Sequence, residues 1–123
     1  MYINLLIKIK NAQEAEKGFL KSPFSEMDLA VANLLMKAGY LKSVETKGKA
    51  DKRLIEIILK DEKAIKGLKF ISRPSRKIYA GYKNIKSVKS GYGLAAVSTS
   101  KGIMSNKEAR RQKLGGQVLF EIW

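Results

Sequence analysis

The chain of 123 residues contains no cysteine and no histidine. Without them it can form no disulfide, Cys/His zinc site, thiol nucleophile or Ser-His-Asp triad. Carboxylate-held magnesium and carboxylate acid–base chemistry stay open. No apolar run approaches the roughly 20 residues that a membrane span needs. The opening Met1-Tyr2-Ile3-Asn4-Leu5-Leu6 is apolar but brief. It lacks the basic front and small-residue cleavage site of a secretory leader, so none is expected. Acidic residues are also scarce, 11 against 25 Lys and Arg, which leaves a formal charge of +14.

Such an excess repels itself, and an acidic partner is the usual compensation. Nucleic acid comes first among partners and an anionic membrane surface second, beside the plain alternative of a merely basic soluble protein. Apolar residues make up 45% of the chain and charged residues 29%, the composition of a folded protein rather than a disordered tail. The length suits one ordinary domain or two very small ones.

In the first half, Ile3, Leu5, Leu6, Ile9 and Ala12 repeat at helical spacing, which predicts a helix to about Gln13 with Lys8 and Lys10 towards water. Gly18 marks a break. Phe19 to Ser22 reads as a short strand stopped by Pro23. Ser25-Glu26-Met27-Asp28 reads as a capping box. The stripe Met27, Ala30, Val31, Leu34, Leu35 and Ala38 follows, with Gly39 as the residue that ends the helix. Tyr40–Thr46 and Arg53–Lys60 predict a hairpin. The order is α-β-α-β-β. The charged stretch Asp61–Lys66 is a candidate boundary.

The second half reads as mostly strand. Leu68–Ser72 and Lys77–Ala80 are short extended runs around Arg73-Pro74-Ser75-Arg76. Lys83–Lys89 suits a single helical turn before Gly91-Tyr92-Gly93. Leu94–Thr99 predicts a strand. Ser105-Asn106-Lys107-Glu108 predicts a capped helix to about Leu114, stopped by Gly115-Gly116, and Gln117–Ile122 a final strand. Residues 1–63 hold 12 basic and 9 acidic side chains, a net of +3. Residues 64–123 hold 13 basic side chains and only Glu108 and Glu121, a net of +11. Capacity for a polyanion therefore concentrates in the second half.

Four features could carry chemistry. Ser98-Thr99-Ser100-Lys101-Gly102 offers three hydroxyls, a cation and a glycine, which suit phosphates and ribose 2′-OH groups in shape-based RNA recognition. Taken alone, a Ser/Thr-rich turn is usually just a turn. It is not a nucleotide-binding P-loop, because Lys101 is followed by Gly102 and the upstream glycine is missing. Arg73-Pro74-Ser75-Arg76-Lys77-Ile78-Tyr79 interleaves basic residues with an aromatic, as backbone contact plus stacking requires, though a strand edge with a half-buried Tyr79 reads equally well. The basic helix from Lys107 to Lys113 could lie along phosphates or simply present a solvated face. The acidic set Asp51, Glu56, Asp61 and Glu62 has no metal-binding spacing and reads as solvated surface.

Three runs in the second half carry a resemblance. They are Ile71 to Tyr79, Gly93 to Ser105 with its Ser-Thr-Ser-Lys-Gly core, and Glu108-Ala109-Arg110 followed by Gly115-Gly116 and Leu119 to Trp123. Together they resemble the family of the eighth protein of the bacterial small ribosomal subunit. In the first half Lys8-Ile9-Lys10-Asn11-Ala12, Pro23-Phe24-Ser25 and Ala38-Gly39-Tyr40-Leu41 agree, so the resemblance covers essentially the whole chain. It implies an α+β protein of two small domains. Residues 1–63 would form the α-β-α-β-β domain. Residues 64–123 would form a mostly β domain with one short helix, gripping an irregular helix of the central domain of small-subunit rRNA.

The resemblance further implies a non-catalytic protein that promotes subunit assembly in the cytoplasm, within the ribosome. Neighbouring small-subunit proteins would be partners, and no metal, cofactor, membrane or small-molecule substrate is expected. Ser98, Thr99, Ser100, Lys101 and Gly102 carry over as the principal contact loop with Tyr79 near it. Arg76, Lys77, Gly116, Gln117, Lys8, Lys10 and Asn11 complete the expected RNA-binding set. Three departures stand out. The family's N-terminal extension with an Asp-Pro pair is not in this sequence, so its contacts would be lost. Gln117 replaces a usual Glu. Lys8 and Lys10 replace arginines and cannot make bidentate forks. The rival class is an architectural double-stranded DNA binder.

Overall fold

The computed structural model describes residues 2–49, 52–60, 64–73, 75–85 and 93–123. The fold is α+β, and the chain divides into two compact units, Met1–Ile65 and Lys66–Trp123.

The N-terminal unit runs α1 (Tyr2–Glu14), β1 (Phe19–Pro23), α2 (Glu26–Lys37), β2 (Leu41–Lys47) and β3 (Leu54–Leu59). This is the expected α-β-α-β-β order. The sheet is antiparallel in the order β1-β3-β2. On the central strand Ile55, Ile57 and Leu59 are buried, the period-2 pattern of a sheet with one covered face. α1 contributes Leu5, Leu6 and Ile9 to the core, and α2 contributes Val31, Ala32 and Leu35. The Ser25 hydroxyl caps α2 by accepting from the Asp28 N–H at 3.2 Å. The helix ends as expected, with Gly39 at φ 92° and the Tyr40 N–H donating to the Leu35 carbonyl at 2.9 Å.

One helix end agrees with the sequence expectation and one strand end differs from it. α1 stops at Glu14, near the expected Gln13, and Glu16, ahead of the Gly18 break, makes the turn that follows. Glu16 takes φ 57°, and the Lys17 N–H closes the motif on the Ala12 carbonyl at 2.9 Å. Pro23 does not stop β1 but is its last residue, opposite Leu54, which an edge strand tolerates. The buried Gln13 amide holds the end of the unit. Its Nε2 donates to the Ile65 carbonyl at 2.6 Å, and its Oε1 accepts from the Ile65 N–H at 2.9 Å. Part of the expected boundary stretch, residues 61–63, lies outside the described residues, as do Asp51, Asp61 and Glu62 of the acidic set. Glu56 of that set pairs with Lys47 at 3.1 Å.

The C-terminal unit is an antiparallel sheet built on its last strand. β4 (Leu68–Phe70) and β5 (Tyr79–Ala80) pair with β8 (Gly116–Ile122). β6 (Leu94–Thr99) pairs with β8 and with β7 (Gly102–Ser105). β7 was not legible as a strand. The one α-helix among the described residues of this unit, α3 (Asn106–Arg111), is short. Ser105 caps it by accepting from the Glu108 N–H at 3.2 Å. It stops before Gly115-Gly116: Lys113 takes φ 56°, and the Leu114 N–H donates to the Ala109 carbonyl at 2.9 Å. Ala109 packs with Val97, Ile85, Ala80 and Met104 on one face of the sheet. The helical turn expected over Lys83–Lys89 appears as a 3₁₀ turn at Tyr82–Asn84; residues 86–92 lie outside the described residues.

The β6–β8 ladder carries a bulge. Ala96 faces Phe120 and Val97 faces Val118, so Leu119 has no partner on β6. The Leu119 carbonyl instead accepts from the Ile71 and Ser72 N–H groups at 3.0 and 3.1 Å.

Candidate nucleic-acid interface

The Ser98–Gly102 run is the tip of the β6–β7 hairpin. Thr99 and Gly102 face each other across the turn residues Ser100 and Lys101. Gly102 has φ 114°, a conformation that favours glycine. The Thr99 hydroxyl donates to the Gly102 carbonyl at 2.8 Å and accepts from the Lys101 N–H at 3.2 Å. Thr99 thus shapes the turn, while Ser100 and Lys101 are exposed at its tip.

Sheet register brings distant residues beside this tip. Ser98 lies opposite Gln117, and Gln117 lies opposite Tyr79. Directly opposed residues on antiparallel strands share a face. Tyr79, Gln117 and Ser98 therefore form a row, extended by Ile103 opposite Ser98. By strand alternation the row lies on the face away from Val97, Met104 and α3. Tyr79 is 68% exposed, which excludes the alternative of a half-buried edge tyrosine.

Gly115 and Gly116 make the row fit. A Cβ on Gly116 would lie 2.1 Å from the Ser98 carbonyl oxygen, and one on Gly115 would lie 2.7 Å from the Ala80 carbonyl oxygen. β8 can pass between β5 and the hairpin only without side chains there. Gly115, read in the sequence as a helix stop, acts as a packing residue.

Arg73 and Arg76 close a tight turn by exchanging backbone hydrogen bonds at 2.9 and 3.0 Å. Both are exposed, as is Lys77. The two acids of this unit lie elsewhere. Glu108 accepts from Arg111 and from the Gln112 amide on α3, and Glu121 lies opposite Lys69 on β4. The positive field around the row is therefore little offset by carboxylates of its own unit.

Lys8, Lys10 and Asn11 belong to the other unit. Lys8 and Asn11 are exposed on α1 and line an open groove of about 700 Å³ with Lys17, Phe19 and Leu20. Lys10 is half-buried and pairs with Glu14 at 3.6 Å. Among the described residues no cluster of acids could hold a metal ion, and no helix is long and apolar enough to cross a membrane.

The family model described as Ribosomal protein S8 matches residues 2–123. The chain belongs to the ribosomal protein S8 family. Among its relatives are proteins named small ribosomal subunit protein uS8. The one from Mycoplasmopsis pulmonis is 41% identical over 123 residues, covering 98% of this chain and 93% of that protein. Those from Caldicellulosiruptor bescii and Mycoplasmopsis agalactiae are 40% and 37% identical, each covering 98% of this chain and 94% of the relative. Membership of the S8 family makes this a structural ribosomal protein and not an enzyme.

Proposed function

We propose that the chain binds directly to a helix of the central domain of small-subunit rRNA and promotes assembly of the subunit. Residues 64–123 act as the RNA-binding domain beside the α-β-α-β-β domain of residues 1–63. The observation that carries this reading is the row Tyr79–Gln117–Ser98 ending in an exposed Ser100-Lys101 tip, within a segment of net charge +11. The exposed Ser100 hydroxyl and the half-buried Ser98 hydroxyl and Gln117 amide can hydrogen-bond base edges and 2′-OH groups in a shallow minor groove. The Tyr79 ring can stack on a base or sugar. Arg73, Arg76, Lys77 and Lys101 engage phosphates around them and supply most of the affinity.

Gly102 serves by backbone approach, and Gly116 by letting β8 lie against the Ser98 carbonyl so that Gln117 stands beside Ser98. Gln117 keeps hydrogen-bonding capacity without a carboxylate that would repel phosphate. Lys8, Lys10 and Asn11 add a weaker contact from α1, their ammonium groups acting as point charges. The protein works in the cytoplasm, inside the ribosome and beside neighbouring small-subunit proteins.

The test is a titration of the whole chain against a transcript of the rRNA central domain and against DNA of the same sequence. RNA should bind far more tightly, because DNA lacks the 2′-OH groups. Equal affinity would overturn the proposal and favour an architectural DNA binder.

A further inference from the structure

Ser72 lies under the basic turn and is fully buried. A buried hydroxyl is costly unless hydrogen-bonded, and this one joins three segments. It accepts from the Ile78 N–H at 2.9 Å and donates to the Val118 carbonyl. Its own N–H donates to the Leu119 carbonyl at 3.1 Å, and the Val118 N–H donates to the Ile78 carbonyl at 2.9 Å. Both arms of the loop carrying Arg73, Ser75, Arg76 and Lys77 are thereby docked on consecutive residues of β8. The docking point is the bulge, where Leu119 is released from the β6 ladder.

The residue after Ile78 is Tyr79, which faces Gln117, which faces Ser98. We propose that Ser72 is a positioning residue: its hydroxyl closes the base of the Arg73–Arg76 turn and sets that turn and Tyr79 in register with the Ser98–Gly102 tip. The inference rests on the RNA-binding reading above and adds a specificity determinant that does not itself touch RNA. An alanine would leave the Ile78 N–H without its acceptor and the Val118 carbonyl without its donor. No charge would be lost, so attraction to RNA would persist while the path of the cations changed. The β6–β7 pairing uses none of these bonds.

Whole-length Ser72→Ala and Ser72→Cys proteins test this. The thiol is larger than the hydroxyl but keeps the shape of the side chain and a weak donor and acceptor. Amide hydrogen exchange is followed at Arg73, Arg76 and Ile78 and, for comparison, across β6–β7. Affinity is measured for the central-domain transcript and for an unrelated RNA duplex. Ser72→Ala should speed exchange at Arg73, Arg76 and Ile78 about tenfold and weaken binding to the transcript about tenfold. Exchange in β6–β7, affinity for the unrelated duplex and the salt dependence should stay as in the wild type. Ser72→Cys should fall between, and it decides the matter if the alanine protein does not fold. Exchange that rises equally throughout the sheet, or a folded variant that binds the transcript like the wild type, would overturn the proposal. A wild-type protein with no preference for the transcript overturns the RNA-binding reading instead. Local exchange then still decides whether Ser72 sets the turn.

Discussion

The two units are similar in length but use charge in different ways. In the N-terminal unit 12 basic side chains face 9 acidic ones, and cations meet carboxylates of their own unit, as Lys10 does at Glu14 and Lys47 at Glu56. Its core is an ordinary stack of amphipathic helices on a sheet. In the C-terminal unit 13 basic side chains share two acids. Two glycines at the start of its last strand lie against neighbouring backbone, and the bulge of that strand docks the fully buried Ser72; the N-terminal sheet also has a register shift, at Leu41/Ser43, and a buried Ser22. A balanced surface suits a unit that need only fold. An unbalanced one, with backbone held in close register, suits the proposed role of attracting a polyanion and fitting one shape of it.

The strongest way to break this contrast is to remove cations from each side. Replacing Arg73, Arg76, Lys77 and Lys101 together by Ala should make the slope of log affinity against log salt shallower by up to about 4, one for each phosphate contact. Replacing Lys8, Lys10 and Lys17 should change it less. A larger change from the N-terminal set would reverse the assignment of the two units.

Glycine substitutions sharpen the contrast in packing. Gly116→Ala drives a Cβ against the Ser98 carbonyl and should destabilise the protein by about 1–3 kcal/mol or more. Gly39→Ala has space around it and should cost only the left-handed backbone conformation, about 1–2 kcal/mol. Urea unfolding of both variants measures the difference, and a Gly39 cost above that of Gly116 would count against the close-packing account.

Two variants then probe the row. Tyr79→Ala should lose stacking worth about 1–3 kcal/mol of binding with little change in melting temperature, and Tyr79→Phe should lose less. A large drop in melting temperature with unchanged affinity would return the ring to a structural role. The pair Ser98→Ala and Ser100→Ala should weaken binding to the transcript by about 1–3 kcal/mol and leave the salt slope alone. A shallower slope would show that the hydroxyls had been assigned the wrong work.

The smallest effect belongs to the N-terminal unit. Burial raises the Tyr2 and Tyr40 phenol pKa above the ordinary 10.0. The folded state thus favours the neutral phenol. Stability from this source is complete below pH 10 and declines as pH rises from there through the folded values. Urea midpoints between pH 9 and 11 should fall less steeply in the Tyr2→Phe, Tyr40→Phe protein. An identical decline in both proteins would dismiss these two phenols as its cause.

Much of the fold was legible because its signals are local. The Ser25 and Ser105 caps lie three residues from the N–H groups they accept from, and the apolar stripe of α2 is a matter of spacing. Helix ends were less legible. The same C-terminal motif needs one residue at positive φ, and Gly39 supplies it where expected. Glu16 and Lys113 adopt φ 57° and 56° despite their side chains, and α3 stops at Arg111, short of the expected Leu114. β7 was missed because four residues, Gly-Ile-Met-Ser, carry no alternation, and pairing with β6 defines the strand. The proposed contact tip stands out in the sequence because its residues are consecutive. The row was not, since register across β8 joins Tyr79 to Gln117 and Ser98. A buried serine such as Ser72 looks like any other in a sequence.

The clasp at the edge of the second sheet has a consequence for engineering. The Lys66 and Gly67 N–H groups both donate to the Trp123 carbonyl, at 2.7 and 3.0 Å, and the Trp123 N–H donates back to Gly67 at 3.1 Å. The indole lies so close over Gly67 that a Cβ there would sit 2.3 Å from the ring. The segment therefore begins and ends at one spot, the geometry that lets a module be grafted into a host loop or circularly permuted. Residues 66–123 could be transplanted as a cassette with two short joints, provided position 67 stays glycine.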